Sequence, residues 1–201
     1  MSQNKRNGVI RVIEGKIETL KETIKKYENG AVIMIELPTE SYFEASSSSI
    51  KALMNEGFEG VYISFQRPFK NVFSLFFDKG INVDGLLFID ATTAPDERIL
   101  EDSKCIHISE KIDIDELVRA IYTSLPKLKS KKKFIFIDSL TTIALYKPLS
   151  ETMRFSEFLI RTVRKNETEN MILIFNVAKD LVQEKFIKDI ALHVDDVISL
   201  G

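Results

Sequence analysis

Two aspartates, Asp90 and Asp138, each close an apolar run that is typical of a buried strand. The two segments have nearly the same form, LLFID at 86–90 and FIFID at 134–138. Open α/β sheets place ligand groups at the carboxyl ends of their strands, so the two carboxylates together could hold a metal ion. Alternatively, each is partly solvated or accepts hydrogen bonds from nearby backbone N–H groups. We favour the second interpretation and predict no metal site.

A serine cluster and a basic run are two further candidates. The four serines Ser46 to Ser49 could supply hydroxyls to an anion at a helix N-terminus, but we favour helix capping, because serine is a preferred N-cap residue. The most basic stretch, KLKSKKK at 127–133, could contact nucleic acid or an acidic partner through Lys131, Lys132 and Lys133. It precedes a buried strand and contains no aromatic residues, so we favour a solvated loop.

Composition narrows the chemistry further. The single cysteine, Cys105, excludes an internal disulfide, and the only two histidines, His107 and His193, argue against a Cys/His zinc site. All three lie in or beside apolar segments, where we expect structural roles. The formal net charge of −2 provides no overall attraction to nucleic acid. No apolar run approaches the roughly 18 residues that cross a bilayer, so we predict a cytoplasmic protein without membrane association.

Apolar strands alternate with amphipathic helices along the chain. The spacing of apolar residues over 10–27 predicts a helix, and the run AVIMIEL at 31–37 predicts a strand covered on both faces of a parallel sheet. Further strands are predicted at 60–65, 85–89, 105–108, 134–137, 171–175 and 197–200. Further helices are predicted at 46–56, ended by Gly57, around 73–77, and at 114–125, 150–166 and 184–192.

This alternation predicts an α/β fold of three layers, α/β/α, around a mostly parallel central sheet. No internal repeat and no linker rich in proline or glycine interrupts the chain. We therefore expect a single domain over residues 1–201, in which an N-terminal amphipathic helix within 1–28 packs on an α/β core formed by 30–201.

Five segments in order are similar to KaiC-like members of the RecA ATPase superfamily. They are GVYISF at 60–65, LLFIDATT at 86–93, FIFIDSLTTI at 134–143, MILIF at 171–175 and DDVISL at 195–200. The resemblance covers about residues 30–201 and implies a RecA-like fold of the P-loop NTPase type. It also implies that FIFIDSL is the Walker B strand, with Asp138 at its end and Ser139 following.

The phosphate-binding loop of that family is degenerate in this chain. Its pattern, G-x-x-x-x-G-K-[ST], cradles phosphates with backbone N–H groups and a lysine. The family spacing aligns it with ELPTESYF, so that Glu36 and Ser41 replace the glycines, Tyr42 the lysine and Phe43 the hydroxyl residue. An acidic side chain repels a triphosphate, and bulky ones obstruct the approach of the backbone. We therefore predict no bound cofactor.

A second departure follows the next strand. KaiC-like proteins commonly carry acidic residues there that help to activate water, whereas this chain has Gln66 and Arg67, and neither is a plausible general base. The loss of both features predicts that the chain does not hydrolyse ATP.

Three hypotheses about function follow from these observations. The first is a non-catalytic RecA/KaiC-like protein that acts as a protein-interaction or regulatory module, with a protein partner or with itself. The second is a divergent nucleotide-binding protein or ATPase that uses Asp138, Asp90 and the serine cluster. The third is a recombination-mediator-like partner of an active RecA-family protein, which contacts DNA through residues 127–133.

Two aromatic clusters bear on the first hypothesis. Tyr42 and Phe43 either fill the space of the phosphates as core or form an apolar notch for a partner, and we favour filling. Likewise, the cluster Phe69, Phe73, Phe76 and Phe77 spans more than one helical face; burial is favoured, and partial exposure is the alternative.

Overall fold

A computed structural model describes residues 17–27, 30–38, 42–92, 103–108, 112–165, 170–181 and 184–199. In these residues a single sheet of seven strands has the order β4-β3-β2-β5-β6-β1-β7, and every neighbouring pair is parallel. The strands are β1 (Val32–Leu37), β2 (Glu59–Ser64), β3 (Leu86–Asp90), β4 (Cys105–His107), β5 (Lys132–Asp138), β6 (Asn170–Ala178) and β7 (Asp196–Ser199).

Central strands are apolar on both faces because helices cover both sides of the sheet. In β5, Phe134 and Phe136 pack into one hydrophobic cluster, whereas Ile135 and Ile137 pack into the other. Side chains of successive strand residues point to opposite faces. An apolar run without polar alternation is therefore the sequence pattern that this sheet requires.

The helices divide between the two faces, which confirms the predicted three-layer α/β/α class. On one face lie α1 (17–26), α2 (Tyr42–Asn55) and α3 (Phe69–Asp78). On the other lie α4 (Ile114–Ser124), α5 (Leu140–Tyr146), α6 (Leu149–Arg164) and α7 (Glu184–Ala191). Among these helices, none is both long and apolar enough to cross a bilayer.

The start of α2 corrects the sequence prediction. The helix begins at Tyr42, so the serine cluster lies within it and does not cap it. The Ser46 and Ser49 hydroxyls donate to the backbone carbonyls of Tyr42 and Ala45, at 2.9 and 2.8 Å. A serine inside a helix can satisfy its hydroxyl in this way. The predicted end is confirmed, because Gly57 follows the helix with a φ of 82°, a conformation that favours glycine.

The N-terminal helix and the phenylalanine cluster both pack on the α2 face. Leu20 and Ile24 of α1 are buried there, while the predicted helical residues 10–16 lie outside the described residues. In α3, Phe69 and Phe76 are buried, as the favoured interpretation predicts, whereas Phe77 is 70% exposed, which agrees with the alternative.

Candidate functional site

The candidate site lies at the carboxyl edge of the sheet, between β1 and β6. These two strands are neighbours, but β1 leads into α2 on one face and β6 leads into α7 on the other. Such a reversal opens a crevice at the carboxyl ends of the strands, which is where open α/β sheets bind ligands. The family resemblance predicted that the loop aligned with the phosphate-binding motif and the aspartate Asp138 would both lie at this edge.

Tyr42 occupies this crevice. It is the first residue of α2, and only 9% of its side chain surface is exposed. Its hydroxyl lies close to the side chains of Asp138, Ser139 and Asn176. Tyr42 is therefore buried as part of the core at this edge, and its polar tip lies close to Asp138.

A second tyrosine binds the same carboxylate. Tyr62, on β2, is fully buried and donates its hydroxyl hydrogen to Oδ2 of Asp138. On the far side of the crevice, Asn176 of β6 donates from Nδ2 to Oγ of Ser46, 2.8 Å away. Two phenols, a carboxyl and an amide thus form a polar cluster in a largely apolar interior, which we call the Asp138 cluster (Tyr42, Tyr62, Asp138 and Asn176).

Three polar atoms of the Asp138 cluster lack a hydrogen bond within the described part of the chain. They are the Tyr42 hydroxyl, Oδ1 of Asp138 and Oδ1 of Asn176. Buried polar atoms without a partner cost free energy, and few occur in native structures. Three of the six such atoms found among the described residues lie in this crevice.

Burial perturbs the ionisation of the Asp138 cluster. Desolvation raises the pKa of Asp138 above its ordinary value of 3.8, and the hydroxyls of Tyr42 and Tyr62 oppose that rise. Desolvation, followed by the nearby charge of Asp138, raises the pKa of both tyrosines well above 10.0. Burial disfavours the charged form of every group here. The crevice therefore favours neutral side chains, although the tyrosine hydroxyls partly compensate the Asp138 carboxylate.

The residues next to the Asp138 cluster are bonded to one another. Ser139 caps α5 by accepting from the backbone N–H of Thr142 at 3.2 Å, and the two side chain hydroxyls are 2.9 Å apart. The Gln66 amide donates to Oγ1 of Thr142 at 3.1 Å. The peptide bond from Asp138 to Ser139 is cis. Gln66 therefore acts as a hydrogen-bond donor to α5.

Two further residues that the sequence aligned with the phosphate-binding loop, Phe43 and Glu36, lie within described elements. Phe43 is half-buried, and the Arg67 guanidinium lies 4.7 Å from the centre of its ring. A cation over an aromatic face is held there electrostatically. Glu36 is half-buried within β1, where it pairs with Val177 and Ser199 through the sheet, and Ser41 lies outside the described residues.

Asp90 does not join the Asp138 cluster. Ser64 pairs with Asp90 on one side and with Asp138 on the other, so the backbones of the two aspartates are roughly 10 Å apart, two strand spacings. Asp90 accepts from the backbone N–H groups of Phe69 and Thr92, at 2.7 and 2.9 Å. Asp90 therefore fits the interpretation that it accepts backbone hydrogen bonds, whereas Asp138 is buried and accepts from the Tyr62 hydroxyl instead, which corrects the prediction for that residue. Across the described ranges, no three acidic, histidine or cysteine side chains form a metal-binding group.

The basic run lies at the opposite, amino edge of the sheet. Lys132 and Lys133 are the first residues of β5; Lys133 is buried, whereas Lys131 and Lys132 are exposed. Lys132 donates to the backbone carbonyl of Glu56 at 3.2 Å. The strand thus begins earlier than predicted, and of the three lysines only the first two face solvent.

Sequence reasoning missed Tyr62 and Asn176. Each is a polar side chain in an otherwise apolar strand, GVYISF and MILIFNVA. A buried strand position that carries a hydroxyl or an amide needs a polar partner, and this signal would have directed attention to both residues.

We expect alkaline titration to distinguish Tyr42 and Tyr62 from exposed tyrosines. Their pKa values are raised in the folded state, whereas the unfolded chain releases phenolic protons near pH 10. Their contribution to stability is therefore fully present below about pH 10 and is lost as the pH rises. Tyrosinate absorbance should show a delayed fraction that appears only on unfolding and that loses one of the five tyrosines in Tyr42→Phe. An unchanged delayed fraction in that variant would contradict the burial of Tyr42.

Comparison with known proteins supports the fold. No family model and no curated protein matches the sequence. Among solved structures, the flagellar accessory protein FlaH of Methanocaldococcus jannaschii is similar with a TM-score of 0.55 and 14% identity, over 85% of this chain and 71% of its own. A KaiC-like protein of Pyrococcus horikoshii has a TM-score of 0.52 and 17% identity with the same coverage.

An uncharacterised protein of Pyrococcus horikoshii, crystallised with an unknown peptide, has a TM-score of 0.63 and 13% identity, over 90% of this chain and 82% of its own. At these identities the likeness establishes the fold alone. The chain thus has the RecA-like fold of KaiC-like proteins, as the sequence resemblance predicted.

Proposed function

We propose that this chain is a non-catalytic RecA/KaiC-like protein, which has lost ATP hydrolysis and acts as a protein-interaction or regulatory module. One observation carries the proposal: the side chain of Tyr42 is buried in the crevice where the fold would seat phosphates, with its hydroxyl close to Asp138. A polyphosphate needs backbone N–H donors, a cation and open space at this point. The crevice offers an aromatic ring and a carboxyl.

Electrostatics support the same conclusion. A nucleotide would add negative charge beside Asp138, whose pKa burial already raises, and like charges in a buried site repel strongly. The guanidinium of Arg67, which helps to lower the pKa of Asp138, is stacked on Phe43. Its guanidinium is thus already held over an aromatic ring.

The interaction role has separate support. One solved structure of the same fold was crystallised with an unknown peptide, and the described surface of this chain exposes several large apolar side chains. They include Leu145, Tyr146 and Leu149 near the start of α6. Exposed apolar clusters of this kind are common at sites of protein contact.

Thermal melting with and without Mg-ATP tests the loss of nucleotide binding. We expect no change in Tm, whereas a ligand at 100 times its Kd would add about 2.7 kcal/mol to the free energy of unfolding. A KaiC-like protein with an intact phosphate-binding loop, melted in the same buffer, is the positive control. An upward shift that disappears in Asp138→Asn would place a nucleotide in the crevice and refute the proposal, as would ATP turnover lost in that variant.

A further inference from the structure

Asp138 and Asn176 are neighbours at the carboxyl ends of β5 and β6. The two strands are parallel and in register up to the pair Ile137 and Phe175, so the backbones of the next residues, Asp138 and Asn176, are about one strand spacing, roughly 4.8 Å, apart. Both side chains are buried. They point to the α2 face of the sheet, because Phe136, two residues before Asp138, packs there and strand side chains alternate.

The first turn of α2 covers this pair. Tyr42 and Ser46 are four residues apart, so their side chains project from the same face of the helix. The Ser46 hydroxyl accepts from Nδ2 of Asn176 at 2.8 Å, and the Tyr42 hydroxyl lies close to the side chains of Asp138 and Asn176. The three unpartnered atoms of the Asp138 cluster, one each from α2, β5 and β6, therefore lie together beneath the first turn of α2.

The orientation of the Asn176 amide follows from its neighbour. The Ser46 hydroxyl donates its own hydrogen to the carbonyl of Tyr42, so it can only accept from Asn176, and the amide nitrogen must face it. Turning the amide over would place two acceptors against each other. The lack of a partner at Oδ1 of Asn176 is therefore not relieved by rotating the side chain.

The unpaired groups are two acceptors and one donor. Oδ1 of Asp138 and Oδ1 of Asn176 can only accept, whereas the Tyr42 hydroxyl has one hydrogen to donate. A direct bond from Tyr42 would satisfy one of the two oxygens and leave the other without a donor. The nearby Ser139 hydroxyl is already paired with that of Thr142, 2.9 Å away. A ligand that accepts one hydrogen bond and donates two satisfies all three atoms.

We infer that one water molecule is bound between Tyr42, Asp138 and Asn176, where it accepts from the Tyr42 hydroxyl and donates to the two Oδ1 atoms. Buried waters typically make about three such bonds to polar groups that lack another partner. A metal cation fits less well, because three oxygens are fewer than the roughly six to eight that Ca²⁺ takes, and the Tyr42 hydrogen would have no acceptor.

The water joins α2 to two central strands. A bridging water is nearly as favourable as a direct hydrogen bond, so it holds the Tyr42 ring over the carboxyl ends of β5 and β6 and keeps the crevice closed to phosphates. The inference rests on the proposal that no nucleotide occupies the crevice, and it names the ligand that does.

A high-resolution crystal structure of the full chain tests the site directly. We expect a density peak about 2.6–3.2 Å from the Tyr42 hydroxyl oxygen and from Oδ1 of both Asp138 and Asn176. Direct contact among these atoms, with no peak between them, would overturn the inference. So would a peak that gains anomalous signal in crystals grown with rubidium or manganese chloride, because a cation would then occupy the site.

Oxygen-17 relaxation dispersion counts long-lived waters in solution. Asn176→Leu should release about one of them, because with one acceptor gone the Tyr42 hydroxyl can donate directly to Asp138. The matched control is Ser49→Ala, at an equally buried position whose hydroxyl already donates to the carbonyl of Ala45; it should keep the wild-type count. An unchanged count in a folded Asn176→Leu would contradict the inference. If that variant does not fold, the wild-type crystal structure decides.

The nucleotide melts give an independent result. If Mg-ATP leaves Tm unchanged and the water is absent, the water site alone is refuted. If the water is present in a chain that Mg-ATP stabilises, the loss of nucleotide binding alone is refuted.

Discussion

Replacing Asp138 with asparagine should raise the free energy of unfolding at neutral pH, by about 1–3 kcal/mol. The carboxyl is buried, and its Oδ1 has no hydrogen bond within the described residues. An amide of the same shape carries no charge to desolvate, and its oxygen can still accept from Tyr62. The variant removes a charge whose desolvation outweighs the hydrogen bonds that it receives. Urea unfolding of the wild type and of Asp138→Asn measures the difference.

The pH dependence of the same variant has a definite sign. Because burial raises the pKa of Asp138 above 3.8, the folded state binds this proton more tightly than the unfolded state. The contribution of Asp138 to the free energy of unfolding is fully present below about pH 4 and declines as the pH rises toward the pKa of the folded state. In Asp138→Asn this decline should be absent. Equal pH slopes for the two proteins between pH 4 and 8 would contradict the assignment.

Asp90→Asn is the matched control, with an effect of opposite sign. Asp90 is as buried as Asp138, but both of its oxygens accept hydrogen bonds, from the backbone N–H groups of Phe69 and Thr92 and from the Thr92 hydroxyl. An amide nitrogen would face one of these donors. We therefore expect a loss of about 1.5–3 kcal/mol, the usual contribution of hydrogen bonds to charged groups. The environment of the aspartate, and not the residue type, therefore decides whether the substitution raises or lowers the free energy of unfolding.

Most of the sheet was predictable because parallel strands covered on both faces have a distinctive composition. β5 and β6 contain the continuous apolar runs FIFI and MILIF, and such runs, separated by amphipathic helices, indicate this fold class. The beginning of α2 was not predictable from the serines alone. Serine serves both as a cap and, bonded to the carbonyl four residues back, as an interior helical residue.

The Asp138 cluster was predictable only in part. The family resemblance identified Asp138 and aligned Tyr42 with the lysine of the family's phosphate-binding loop, since both alignments depend on local sequence. The contact of Tyr62 with Asp138 joins residues 76 positions apart, and that of Asn176 with Ser46 joins residues 130 apart. Such pairs depend on the strand order, which places β5 between β2 and β6 and which no local pattern specifies.

Tyr62→Phe should destabilise the protein by about 1.5–3 kcal/mol, because it removes the hydroxyl that donates to the buried Asp138 carboxylate. The ring remains and keeps its packing, including the edge-to-face contact with Phe76, whose ring centre lies 5.2 Å from that of Tyr62. In Tyr42→Phe the loss should be less than half as large, because no hydrogen bond to a described residue is removed there. The two variants delete the same atom from the same residue type, so packing differs little between them.

A double-mutant cycle separates the hydrogen bond from all other effects of Tyr62→Phe. In the background of Asp138→Asn the carboxylate charge is gone, so the cost of Tyr62→Phe should fall by roughly 1 kcal/mol or more, the range seen for contacting residues. The cycle that pairs Tyr42→Phe with Asp138→Asn should give a smaller coupling energy. Equal couplings would mean that both tyrosines bind Asp138 alike. Tyr42 would then hold the aspartate directly, and the crevice would be closed by a hydrogen bond as well as by the bulk of an aromatic ring.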